Sequence, residues 1–278
     1  MNVNPTDKKT LLRRKVLKSG LILLLGGGGL FAIFLWLTRP MPDPCGDVLS
    51  DRNYYIAHAA GALDGYRYLN CREALIRTID NGYKYIELDL GLTKDSVLVC
   101  LHDWKLFHKM TSQDTLNDQP LTVYEFRNRK IYNQYTPLTI EDVISIRKEH
   151  PFVIVTDKLS KVDILNKYFT QDKSSIMVEA FRDYNKLKKA GYTPMMSLCR
   201  FDYGKMVKYF IIYPLIKRQK IDWICVDTTS NMKSLRMLKR LFNCKVAMYT
   251  SNSPSFFKEH LGKEIDLIYT DATTSQER

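Results

Sequence analysis

Residues 54–104 read YYIAHAAGALDGYRYLNCREALIRTIDNGYKYIELDLGLTKDSVLVCLHDW, and this stretch decides how the rest of the chain is read. His58 and His102 each close a short apolar run, and between them stands Ile86-Glu87-Leu88-Asp89-Leu90. In a strand, residues two apart face the same side. Glu87 and Asp89 therefore point one way, and Ile86, Leu88 and Leu90 the other. Two adjacent acids on one strand face repel unless something positive lies between them, and a divalent cation with oxygen ligands is the simplest partner. Imidazoles beside such a centre suit proton transfer, because both forms of the ring coexist near neutral pH.

Outward from this stretch, short apolar runs alternate with amphipathic ones, the pattern of repeated βα units. The runs are Tyr54–His58, Tyr85–Leu90, Val97–His102, Phe152–Asp157, Ser175–Glu179, Pro194–Leu198, Trp223–Asp227, Lys245–Thr250 and Asp266–Thr270. Only Thr93-Lys94-Asp95-Ser96 separates the second run from the third, too short for a parallel crossover. Val97–His102 is therefore predicted to return antiparallel on Tyr85–Leu92 as a hairpin. The other eight runs give an α/β chain, a TIM (β/α)8 barrel with an inserted β-hairpin. Helices are predicted over Asn70–Asn81, Thr139–Lys148, Asp183–Ala190 and Met232–Leu241. Residues 105–138 show no clear period and read as irregular structure over the barrel mouth, with a short helix at Thr122–Phe126. Function in such barrels collects at the C-terminal strand ends: here His58, Glu87, Asp89, Asp157, Glu179, Ser197, Asp227, Tyr249–Asn252 and Asp271.

The order Ala57-His58, Asn70, Glu87-x-Asp89, Thr93-x-Asp95, Val99-x-x-His102-Asp103 resembles the glycerophosphodiester phosphodiesterases and their phosphatidylinositol-phospholipase-C-like relatives. It is similar above all to a bacterial branch that opens A-H-A-G-G and closes this block H-D-W. The likeness is tight from Ile56 to Trp104, looser from Phe152 to Asp271, and absent from residues 1–53. It implies a TIM barrel, His58 and His102 as the general acid and base, and Glu87 and Asp89 as ligands of Ca2+ or Mg2+. It also implies a third ligand at the next barrel strand, where Asp157 stands with Lys158 adjacent. That adjacency puts Lys158 on the far side of the strand if Asp157 faces inward, and leaves Thr156 as an alternative ligand. Asn70, Lys158, Glu179, Tyr249 and Trp104 are the substrate-side candidates. The substrate implied is a small phosphodiester or a lipid head group.

Departures from the family pattern leave a second reading open. Ala59 stands where relatives have Arg, removing a bidentate phosphate contact, with Arg67, Arg72 and Lys105 near enough in sequence to replace it. Leu69-Asn70 replaces Glu-Asn. A barrel weakened in this way would serve as an envelope binding or scaffolding protein. Glu87 and Asp89 have a plainer reading too, as a solvated strand face paired with Lys94 and Arg72. His108, His150 and His260 read as ordinary structural histidines.

Residues 19–38, SGLILLLGGGGLFAIFLWLT, carry no charge and are long enough to cross a bilayer. Lys8, Lys9, Arg13, Arg14, Lys15 and Lys18 precede them, so positive-inside reasoning leaves the N-terminus cytoplasmic. No small-x-small cleavage site follows. The sequence organisation is thus a basic cytoplasmic segment (1–18), an uncleaved transmembrane signal anchor (19–38), a proline-bearing linker (39–53) and a barrel (54–278) on the periplasmic or extracellular side. Residues 1–40 hold half of the formal net charge of +12. The remaining excess suits anionic substrates or a phospholipid surface, and no zinc-finger pattern or dense arginine stripe points to nucleic acid. Six cysteines lack metal-site spacing, and Cys100 and Cys225 sit in apolar runs as buried thiols.

Overall fold

The computed structural model describes residues 28–29, 31–112, 116–198 and 213–272. The chain divides after Met41 into two units. In the first, residues 31–38 are helical and expose Phe31, Ile33, Phe34, Leu35 and Trp36. Residues 1–27 and 30, which include half of the predicted anchor, lie outside the described residues. Among those described, no helix is long and apolar enough to cross a membrane.

The second unit is built on β1 (Tyr55–Ala57), β2 (Tyr85–Glu87), β3 (Leu90–Leu92), β4 (Leu98–Cys100), β5 (Val153–Thr156), β6 (Ile176–Ala180), β7 (Thr193–Ser197), β8 (Trp223–Asp227), β9 (Lys245–Tyr249) and β10 (Leu267–Thr270). Eight of these close a parallel barrel in the order β1-β10-β9-β8-β7-β6-β5-β2. The remaining pair, β3 and β4, forms a separate antiparallel hairpin, with Leu90 opposite Cys100 and Leu92 opposite Leu98. The predicted strand count and hairpin polarity both hold.

The run Tyr85–Leu90 is shared between barrel and hairpin. The amide of Leu88 still donates to Val155 O at 2.9 Å, but that of Asp89 donates to the side chain of Asn70 at 3.0 Å. A side-chain acceptor replaces the neighbouring strand, and the chain leaves the barrel there.

Strand period places one residue set inside the barrel and the other under the helices. Inside, Ile56, Val155, Met177, Met195, Cys225, Ala247, Leu267 and Tyr269 form one buried apolar cluster. Two residues further along the strands stand His58, Asp157, Glu179, Ser197, Asp227, Tyr249 and Asp271, with Glu87 two beyond Tyr85. The apolar plug is thus capped by a predominantly polar ring at the C-terminal mouth.

The helices follow their local signals. Arg72–Asp80 starts at Cys71 and buries Ala74, Leu75 and Thr78, and Gly82 follows at φ 77°, which glycine adopts without strain. Ile140–Glu149 begins with a capping box between Thr139 and Asp142, and Val123–Arg127 with one between Thr122 and Glu125. Tyr184–Lys189 and Met232–Phe242 lie within a residue or two of expectation. Residues 105–138 are more regular than their sequence suggests. Trp104–Ser112 is a helix burying Phe107, His108 and Met110, and the Phe107 ring stacks on Phe126 at 4.7 Å. His108 interrupts the apolar stripe, and its ring bonds Gln119 O at 2.8 Å. Cys71, Cys100, Cys225 and Cys244 are buried and Cys45 is exposed; Cys199 lies outside the described residues.

Candidate active site

The polar ring surrounds a cavity of about 210 Å3 bordered by His58, His102, Glu87, Asp89, Asp157 and Lys158. Glu87, Asp89 and Asp157 each offer a carboxylate oxygen, all within 4.8 Å of one another. Glu87 Oε2 accepts from the Ala59 amide at 2.6 Å, and Asp89 Oδ2 accepts from Asn70 Nδ2 at 2.9 Å. Among the described residues, Glu87 Oε1 and Asp157 Oδ1 are buried with no hydrogen-bond partner. Burial, then Asp89 and Asp157, pushes the Glu87 carboxyl well above its usual range, and burial followed by Asp89 raises Asp157. Crowded carboxyls with unsatisfied oxygens form the hard donor set that a divalent cation requires. Among the described residues neither Glu87 nor Asp89 pairs with Lys94 or Arg72; Asp89 faces Lys158 at 3.6 Å.

That contact corrects the expected placement of Lys158. β5 ends at Thr156, so strand alternation no longer governs the next two residues, and Asp157 and Lys158 both border the cavity. Lys158 Nζ lies 3.2 Å from His102 Nε2. An ammonium has donors only, so Nε2 is the acceptor and the ring hydrogen sits on Nδ1. From there it is donated to Asp103 Oδ2 at 2.6 Å.

His58 reaches the cavity from the end of β1. Its Nδ1 bonds Asp271 Oδ1 at 2.9 Å, which leaves Nε2 as its second functional nitrogen. Asp271 is held in turn by Asn252 Nδ2 at 3.1 Å and by Arg67 at 3.4 Å. Burial alone would raise the Asp271 carboxyl, yet the hydrogen bonds from His58 and Asn252 hold it below its usual value. Arg67 thus pairs with the carboxylate that holds His58. Ala59 itself has φ 49° and gives its amide to Glu87.

Tyr68 lies between the histidines. Its ring centroid is 4.9 Å from His58 and 5.0 Å from His102, edge-on to both. Its backbone is left-handed at φ 58°. Edge-on aromatic contacts on both sides restrict rotation of the two imidazoles. Tyr68→Ala is expected to lower kcat about tenfold with little change in KM, while Tyr68→Phe retains most of it. Equal losses in the two variants, or a loss confined to KM, would contradict a positioning role.

The remaining sequence candidates divide. Glu179 and Tyr249 border the cavity. Asn70 is fully buried, with its amide bonded to the backbone and carboxylate of Asp89. Trp104 is also structural, donating Nε1 to Leu92 O at 3.2 Å and packing edge-on against Phe107 and Phe126. Sequence reasoning placed Asp103 in the motif beside His102 and Asp271 at a functional strand end without giving either a specific role, and it did not name Tyr68. The first is signalled by its position beside His102, the second by lying two residues beyond inward-facing Tyr269. Nothing in the sequence singles out Tyr68.

Solved structures with this fold include a glycerophosphodiester phosphodiesterase from Thermotoga maritima (19% identity, TM-score 0.62), with 79% of this chain and 95% of that one aligned. A glycerophosphoryl diester phosphodiesterase from Parabacteroides distasonis is 15% identical with TM-score 0.59, covering 84% of this chain and 90% of that one. An Oleispira antarctica phosphodiesterase, in complex with the product sn-glycerol-3-phosphate, is 16% identical with TM-score 0.59, covering 78% and 92%. Comparison with curated proteins gives no match. The Glycerophosphoryl diester phosphodiesterase family matches residues 64–216, a span holding His102, all three acids and Lys158. With more than half of its length matched, the chain belongs to that family of phosphoric diester hydrolases.

Proposed function

We propose that the chain is a divalent-metal-dependent phosphodiesterase acting on glycerophosphodiester or phospholipid head-group substrates, with His102 and His58 as its base and acid. The observation that carries this reading is the acid cluster beside two separately held imidazoles, with Glu87 Oε1 and Asp157 Oδ1 buried and unpartnered among the described residues. Glu87, Asp89 and Asp157 would hold Ca2+ or Mg2+, which when bound supplies charge neutralisation at the phosphoryl oxygens. Lys158 adds a positive charge on the same side, and Tyr68 keeps the two rings in place.

When substrate phosphate draws Lys158 away, the lone pair of His102 Nε2 is released and takes the proton of the attacking hydroxyl, either water or a neighbouring substrate hydroxyl. The oxygen bonds to phosphorus as the bond to the departing alcohol breaks. His58, protonated on both nitrogens and steadied by Asp271, delivers the proton from Nε2 to that alcohol. The product held by the Oleispira structure, sn-glycerol-3-phosphate, supports a glycerol-type substrate.

The reading includes an N-terminal anchor at residues 19–38, with the barrel outside the membrane. Its support is the uncharged stretch itself, the basic residues before it and the exposed apolar side chains of helix 31–38. The chain is expected to stay with membranes after alkaline wash; release into the wash would remove the anchor from the proposal.

The deciding assay uses the full chain in detergent with glycerophosphodiesters and lysophospholipids. Turnover is expected to stop with EDTA and return with Ca2+ or Mg2+. Binding without turnover under every metal condition would favour the scaffold reading instead.

A further inference from the structure

Among the described residues, Tyr269 is the only member of the buried plug inside the barrel that carries a hydroxyl. The residue is 3% exposed, and its Oη is buried with no hydrogen-bond partner among those residues. Phenylalanine would fill the same place, and a buried hydroxyl with nothing to bond is costly. Packing alone therefore does not account for the oxygen.

Its surroundings do. Tyr269 stands on β10 and borders the same cavity as the histidines and the acids. Burial, followed by Cys225 and the carboxylates of Glu179, Glu87 and Asp157, pushes its hydroxyl well above the usual range. Those four side chains come from β8, β6, β2 and the residue after β5, so the oxygen is aimed across the barrel axis toward the acid cluster. Two rings fix that direction. Tyr269 meets His58 edge-on with centroids 6.3 Å apart, and Tyr249 at 5.9 Å. Glu87 Oε1 and Asp157 Oδ1 are acceptors that find no donor among the described residues, and the phenol is a donor that finds no acceptor.

We propose that Tyr269 is a positioning residue of the metal site, whose hydroxyl donates to the Glu87 and Asp157 carboxylates, directly or through one buried water, and holds them for a divalent cation. The cation takes some of the carboxylate lone pairs, and the tyrosine turns the carboxylates by bonding another. Donors behind ligating groups fix their orientation and set metal affinity. This assignment rests on the reading of the acid cluster as a cation site.

Tyr269→Phe tests it, because the variant keeps the ring and its contacts with His58 and Tyr249 and removes only the oxygen. Calorimetric titration of the full chain in detergent with Ca2+ and with Mg2+ is expected to show about tenfold weaker binding of the ion that wild type takes. In EDTA the variant melts at or above the wild-type temperature, since it buries one fewer unbonded polar group. Added metal then raises its melting temperature less than that of wild type. The acid limb of the pH–rate profile stays in place, because the ring beside His58 is unchanged. Equal metal affinity in variant and wild type overturns the proposal and leaves the cation site standing. A variant that melts below wild type in EDTA shows the hydroxyl serving the fold, and overturns it as well. If wild type binds neither ion, the cation reading falls and this assignment falls with it.

Discussion

Replacing His58 or His102 with alanine is expected to lower turnover about 10²–10⁴-fold in each case, the usual worth of one general catalyst. Substrate phosphate should still bind, because Lys158 and the acid-cluster site remain. The two variants should differ in their pH–rate profiles. Loss of His102 removes the limb due to the base, and loss of His58 the limb due to the acid. Asp271→Asn should reproduce part of the His58 defect without altering metal affinity, since its carboxylate touches the ring and not the acid cluster. Steady-state kinetics and calorimetry on purified variants check this. Variants that keep wild-type turnover would remove the histidines from the chemistry, and ones that also lose phosphate binding would make them ligands.

Glu87→Gln is expected to make the metal-free protein more stable and the metal-loaded protein inert. Burial and the neighbouring acids raise the Glu87 carboxyl well above its unfolded value. The fold therefore binds that proton more tightly than the unfolded chain does. The associated stability is complete below the ordinary carboxylate range and is lost as pH rises through it toward the higher folded value. At neutral pH the amide relieves this repulsion while still accepting from Ala59. A gain of about 1 kcal/mol would raise Tm by about 2–4 °C in a domain of this size. Added Ca2+ or Mg2+ should stabilise wild type and leave the variant unchanged. Differential scanning calorimetry with and without EDTA decides it. A variant less stable than wild type without metal, or equally stabilised by metal, contradicts a cation-holding role for Glu87.

The barrel was legible because strand period, run length and one four-residue turn constrain the topology strongly. That turn alone separated eight parallel strands from a hairpin. His58, Glu87 and Asp157 were legible as candidates because they stand at the inward C-terminal ends of barrel strands, and Asp89 and His102 because of the motif that carries the family resemblance. Lys158 was misplaced because alternation was carried past Thr156, where the strand has ended. For Asn70 and Trp104, sequence shows that a polar or aromatic residue is near a site, not which way it faces. Their hydrogen bonds turn them to Asp89 and Leu92. Tyr68 was invisible for the same reason: its place between the histidines follows from a left-handed turn no pattern announces.

The hairpin gives the proposed acid–base pair an unusual energetic footing. His58 extends from a strand closed on both sides by parallel neighbours, whereas the segment leading to His102 comes from a two-stranded ribbon outside that closed sheet. The ribbon is held by the core and not by the sheet: Leu90, Leu98, Val99, Cys100 and Leu101 are buried, the Cys100 amide donates to Leu138 O, and the Leu98 amide donates to the Tyr168 hydroxyl. The proposed acid therefore depends on strand pairing and the proposed base on side-chain packing, so a core substitution beneath the ribbon would reach His102 before His58.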